Sequence, residues 1–206
     1  MSISRRDREK EVRREEMIAA AEKLCSIKGI NSFTMDDVAR LSEFSKATIY
    51  KYFDSKEEIL SEINKKAIRK LEQIITENIK PEMNGYEKVK AFGSAYFEFA
   101  LKYEQYHEFV SIYEADKYKI TGEDSLNNLY VLDSMMIKTI EEGISDGTLR
   151  GDIKPEVLSK SIWAMTTGLL QMLRLRGDSI RESYGIELSD FYREFYSTIK
   201  LGICSK

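Results

Sequence analysis

The 206-residue chain has only two cysteines, one histidine and two prolines, and each shortage removes a class of function. Cys25 and Cys204 stand near opposite ends of the chain without a CxxC-type partner, so neither a structural disulfide nor a cysteine metal site is expected. Cys25 falls in an apolar helical stripe and reads as a buried small hydrophobe. With His107 alone, no histidine cluster can hold a metal and no nucleophile–histidine pair is visible, so no metal, cofactor or catalytic residue is predicted and the chain reads as no enzyme. A run of about eighteen uncharged apolar residues is also lacking, and Met1 to Arg14 is charged throughout with no signal-peptide core. That excludes a membrane partner and predicts a cytoplasmic protein. Two-residue apolar alternation bounded by turns is missing as well, which removes strands.

What is present is charge and helical periodicity. Charged residues make up 33% of the chain and hydrophobic ones 42%, enough apolar side chains for a core. The net charge of −3 is unevenly placed: residues 1–56 carry net +2 and the remainder net −5. Positive potential therefore belongs to the N-terminal part, although Arg5, Arg6, Arg8, Lys10, Arg13 and Arg14 alternate with acids and fit a solvated helix face equally well.

The spacing predicts an all-α fold of about nine helices. The first spans about Arg8 to Lys28, with Met17, Ala20, Ala21, Leu24 and Ile27 inward and Gly29 as its stop. Three helix starts then fall close together. Thr34 is an N-cap with Asp36 and Asp37 in the first turn and a Phe33–Val38 staple. Ser45 caps a second helix of about two turns, with Phe44 spaced to staple onto Ile49. Ser55-Lys56-Glu57-Glu58 forms a capping box opening a third, long helix that Pro81 ends. Helices this short need every terminal hydrogen bond plus tertiary packing, so dense capping predicts a compact tri-helical unit. Two helices joined by a three- or four-residue turn form either a plain helical hairpin or a helix-turn-helix. The composition of the second helix favours the latter. Lys46, Ala47, Thr48, Tyr50, Lys51 and Tyr52 present cationic, hydroxyl or small groups, Ile49 and Phe53 face inward, and no acid lies between Glu43 and Asp54.

In Phe33-Thr34-Met35-Asp36-Asp37-Val38-Ala39, followed by the run from Ser45 to Glu58, the chain resembles the TetR family of bacterial repressors. The resemblance covers about Met17 to Leu60. It implies an N-terminal helix-turn-helix domain with a basic arm (1–60) and a C-terminal effector-binding and dimerisation domain (61–206). It implies phosphate clamping by Thr34, Tyr52 and Lys56, and groove or phosphate contacts by Ser45, Lys46, Thr48 and Tyr50 around Ala47, with Lys51 as a secondary candidate. Lys46 suits guanine acceptors or a phosphate. Two departures stand out: Glu43 and Ala47 replace residues that are commonly glycine. If position 43 is left-handed, its side chain costs about 1 kcal/mol or more.

Beyond the long helix, segments at about Tyr86 to Glu104, Tyr106 to Lys117 and Ser125 to Ser145 are rich in aromatics. Phe92, Tyr96, Phe99, Tyr103, Tyr113, Tyr130, Met135, Trp163 and Met165 are candidate walls of an effector cavity, although side chains of these types are individually more often core than pocket wall. A helix with Pro155 near its first position and a last helix capped by Ser189 carry Val157, Ile162, Leu169, Met172, Leu173, Phe191, Phe195 and Ile199, read as half of an isologous four-helix dimer interface. The functional expectation is a homodimeric, ligand-responsive regulator, most simply a repressor, with an operator duplex and a small hydrophobic or amphipathic effector as partners. Two other classes stay open: a helical enzyme using carboxylates such as Glu98, Glu104 or Glu114, and a protein-binding adaptor.

Overall fold

A computed structural model describes residues 4–112 and 123–205, with the side chains of 112 and 123–130 left aside. Among the described residues there are nine helices: α1 Arg5–Lys28, α2 Met35–Leu41, α3 Lys46–Ile49, α4 Lys56–Asn78, α5 Gly85–Lys102, α6 Glu104–Ile112, α7 Glu123–Ser145, α8 Pro155–Tyr184 and α9 Leu188–Ile203. They fall into two compact units, Met1–Arg69 with Glu104–Asn128 and Lys70–Tyr103 with Leu129–Lys206.

The core of the first unit is built from one stripe of each helix. α1 contributes Met17, Ile18, Ala20, Ala21, Leu24 and Cys25, α2 Met35, Val38 and Ala39, and α4 Ile59, Leu60, Ile63, Ala67 and Ile68. Ile49 and Phe53 anchor the short segment between α2 and α4, both almost wholly buried as their four-residue spacing predicts. A buried side chain of this size is worth about 1.5–3 kcal/mol of hydrophobic transfer. Ile27 does not join this stripe, being 67% exposed. It lies in the last turn before Gly29, whose φ of 84° ends the helix, and the inward positions are filled by Ile18 and Cys25 instead. α6 is tied to α1 by polar contacts: Gln105 Nε2 donates to the Glu22 carbonyl at 2.6 Å and the Tyr106 hydroxyl donates to the Glu22 carboxylate at 2.9 Å. Lys66 of α4 pairs with the same carboxylate at 3.2 Å.

In the second unit, α5 packs against α8 and α9 through aromatic rings. Tyr96 lies against Trp163 with centroids 5.0 Å apart, Phe97 stacks on Tyr192 at 3.9 Å, and the Tyr192 hydroxyl and Ser94 Oγ are hydrogen-bonded at 3.1 Å. Gly93 lies directly beneath the Tyr196 ring, where no side chain fits. Gly85 meets the backbone of Gly143 with the same consequence, and its amide donates to Asp146 at 2.7 Å.

Three expectations about these last helices are corrected. α9 begins at Leu188 with Glu187 as N-cap and no side-chain cap bond, not at Ser189. Ile162, Leu169, Leu173 and Ile199 are buried within the chain itself, so a monomer's own core consumes them. Of the expected dimer-face residues, Val157 is exposed, and Met172, Phe191 and Phe195 are half-buried. Met165 is exposed, which removes it from an inner wall. Phe92, Tyr96 and Phe99 are buried, Tyr103, Met135 and Trp163 half-buried, and Tyr113 and the Tyr130 side chain lie outside the described residues.

Candidate nucleic-acid interface

The helix pair that carries the candidate interface is set by local hydrogen bonds. Thr34 and Asp37 form a reciprocal capping box: the Asp37 amide donates to Thr34 Oγ1 at 3.2 Å, and the Thr34 amide donates back to the Asp37 carboxylate at 3.0 Å. Lys28 and Arg40 both donate to the other Asp37 oxygen, at 2.8 and 2.7 Å. The Lys28 hydrogen bond, then the Thr34 amide, hold this carboxyl well below the usual carboxylate range.

α2 ends in a Schellman turn. The Phe44 amide reaches back to the Ala39 carbonyl at 3.1 Å, and Glu43 occupies the left-handed position at φ 59°, the one non-glycine positive φ among the described residues. The turn is therefore the ordinary helix-turn-helix turn built with a residue that costs about 1 kcal/mol there. Ser45 then caps α3, its Oγ accepting from the Thr48 amide at 3.1 Å and sharing a hydrogen bond with Thr48 Oγ1 at 2.8 Å.

The expected two-turn helix is shorter as an α-helix, Lys46–Ile49. The chain continues in tighter i→i+3 bonds, Lys51 to Thr48 at 3.1 Å and Tyr52 to Ile49 at 2.9 Å, before Phe53 bonds to Ile49. The tightening delivers Phe53 into the core while Tyr50 and Lys51 stay outside. At the start of α4 the Ser55 hydroxyl accepts from the Glu58 amide at 3.2 Å as predicted. The Glu58 carboxylate, however, reaches the Asp54 amide at 2.7 Å, one residue ahead of the expected cap amide.

The predicted contact residues gather around this segment. Thr34, Ser45, Lys46, Ala47, Tyr50 and Lys51 are exposed, and Thr48, Tyr52 and Lys56 half-buried. Two of the cations already have partners. Lys46 Nζ is 2.7 Å from Asp36, whose hydrogen bond and charge raise the ammonium's affinity for its proton. Lys56 lies 4.3 Å over the Phe33 ring, and burial lowers its pKa. By sequence Asp36 is only a first-turn charge; its spacing from Lys46 across the turn is the signal that the two would meet. Arg14 braces the segment from behind, 4.9 Å over the Phe53 ring and 3.3 Å from Glu62. Burial alone would raise the Glu62 carboxyl, but the hydrogen bonds and charges of Lys65 and Arg14 bring it below its ordinary value. Burial pushes the Cys25 thiol up to about 12, so it is inert.

Residues 17–63, which contain every element just described from the core half of α1 to the start of α4, match the family model for bacterial regulatory proteins, tetR family. Over these residues the chain is similar to the TetR family. An HTH-type transcriptional regulator of Bacillus subtilis strain 168, YhgD, described as uncharacterized, is 27% identical over 143 residues, 69% of this chain and 73% of that one. Among solved structures, a putative tetR family regulator from Shewanella sp. PV-4 shares the fold with a TM-score of 0.73 at 11% identity, covering 94% of this chain and 99% of its own. The fatty acid degradation regulator FadR of Bacillus halodurans does so with a TM-score of 0.72 at 14% identity, covering 89% and 92%. The chain is a DNA-binding transcriptional regulator of all-α fold. No described helix is long and apolar enough to cross a membrane, and no group of three metal-ligating side chains occurs among the described residues.

Proposed function

We propose that this protein is a cytoplasmic, non-enzymatic repressor that binds a near-palindromic operator as a homodimer and leaves it when a small hydrophobic or amphipathic effector binds. The observation that carries the DNA half of this reading is the outer face of α3 and its extension. Lys46, Ala47, Tyr50 and Lys51 stand exposed on a segment anchored by Ile49 and Phe53 and free of acids from Phe44 to Phe53. Such a face, cationic and hydroxyl-bearing, suits a polyanion. In this reading Lys46 exchanges Asp36 for a guanine edge or phosphate. Ser45, Thr48 and Tyr50 contact the groove or its rim, and Thr34, Tyr52, Lys51 and Lys56 hold phosphates. The Lys56 contact is the weakest, because its ammonium already lies on Phe33.

Two-fold symmetry follows from the requirement that two such short helices read successive turns of one duplex. Support for a dimer face on α8 and α9 comes from exposed apolar side chains, Val157, Met165, Leu175 and Leu201, on helices whose other sides are buried. The effector class is suggested by the aromatic second unit and by the fatty acid regulation named for the Bacillus halodurans protein. Release requires that the effector bind the two head spacings with different affinity; equal affinity switches nothing.

The test is selection of bound sequences from a random duplex pool, followed by titration of wild type and a Lys46→Ala/Tyr50→Ala variant. The variant is expected to stay folded and dimeric and to lose the selected sequence. Normal binding by it would contradict the assignment of α3.

A further inference from the structure

The N-terminal half of α1 extends beyond the apolar core, and the side that would face the domain is cationic. Arg6, Lys10, Arg13 and Met17 recur at i, i+4, i+7 and i+11, one side of a helix at 3.6 residues per turn. From Met17 onward this side is buried, continuing as Ala20, Ala21 and Leu24. Ahead of Met17 it is exposed, and Arg6, Lys10 and Arg13 line a groove of about 570 Å³ whose other wall is Tyr52, at the end of the α3 segment.

The two acids that share the groove are engaged: Glu9 pairs with Arg5 at 2.9 Å and Asp7 accepts from the Ser4 hydroxyl at 2.7 Å. Among the described residues, Arg6, Lys10 and Arg13 have no ion pair or side-chain hydrogen bond, in contrast to Arg5 and Arg14. A face covered by protein would be apolar here, as it becomes one turn later. A face meeting only water would mix signs, as the opposite side does with Arg8, Glu11 and Glu15. Three unpaired cations in a row, walled by a tyrosine of the reading segment, match a chain of phosphates.

We propose that Arg6, Lys10 and Arg13, with the Tyr52 hydroxyl, form a second DNA-contacting surface that grips the sugar-phosphate backbone flanking the bases addressed by α3. It rests on the DNA-binding reading of α3 and extends the footprint of each subunit outward without adding base specificity.

The test uses the full chain and the duplex selected by wild type, with and without its flanking base pairs, titrated over a range of salt. Three proteins are compared: Arg6→Gln/Lys10→Gln/Arg13→Gln, the charge-matched control Arg8→Gln/Lys23→Gln/Arg69→Gln, and Lys46→Ala/Tyr50→Ala. Helix content and melting are measured for each. The first variant is expected to bind the long duplex roughly tenfold or more weaker at low salt, with a salt slope shallower by about 0.9 for each phosphate it no longer neutralises, and to bind long and trimmed duplexes alike. The control is expected to keep the wild-type slope and the wild-type preference for the long duplex. Affinity and slope unchanged in the first variant, or lowered equally in the control, would overturn this surface while leaving α3 intact. Unchanged binding by the Lys46/Tyr50 variant would overturn the whole interface instead.

Discussion

Helices α3 and α8 sit at opposite extremes of how a segment of this chain is held. α3 has four residues and is closed at both ends by local bonds: the Schellman turn before it, the Ser45 cap, and the tightened turn that leads to Phe53. α8 has thirty residues, starts at Pro155 after an N-cap, Lys154, that makes no side-chain cap bond, and is held by a long apolar face that includes Leu158, Ile162, Leu169, Leu170 and Leu173. The difference is instructive. In a segment fixed by caps and two buried anchors, outward residues such as Ala47, Tyr50 and Lys51 are not needed to hold the fold and are released for recognition. In one fixed by packing, the ends and the outward apolar residues are left for a partner to use.

The comparison breaks most severely at an anchor. Phe53→Ala should cost about 3–5 kcal/mol, measured by denaturant unfolding, because it empties a fully buried ring position; a drop near 1 kcal/mol would mean the anchors matter less than the caps. Ser45→Ala should cost about 1 kcal/mol, whereas Lys154→Ala at the uncapped start of α8 should stay within about 0.5 kcal/mol of wild type. Glu43→Gly should gain about 1 kcal/mol, since the left-handed position then carries no side chain.

The finest test is pH. Asp37 has a folded pKa below its unfolded value, so its contribution is present above about pH 4 and is lost as pH falls through the folded value. Asp37→Asn should therefore flatten the acid limb of stability, and an unchanged limb would remove Asp37 from the account.

Much of the α2–α3 region was legible because its determinants are residue identities at fixed offsets. Thr34 and Ser45 announce their caps, the spacing of Ile49 and Phe53 announces the inward face, and the resemblance at Glu43 pointed to the left-handed turn that its φ of 59° displays. Periodicity was less decisive where several stripes fit. Ile27 matched the α1 pattern but falls in the last turn, where the core no longer covers it. Ile162, Leu169, Leu173 and Ile199 were assigned to a partner because hydrophobicity alone does not distinguish a monomer's core from an interface. The cationic stripe of Arg6, Lys10 and Arg13 was visible in the sequence as a basic arm, but its continuity with the buried Met17 side and its groove with Tyr52 required coordinates.

The central claim is that the outer face of α3 enters duplex DNA. Its most direct test is photo-crosslinking from a benzophenone amino acid placed at position 50, with positions 27 and 184 as exposed controls, in the presence of the selected duplex. Crosslinks to DNA from position 50 and none from 27 or 184 are the predicted result. Absence of a DNA crosslink at position 50 while the protein remains bound to the duplex would contradict the account.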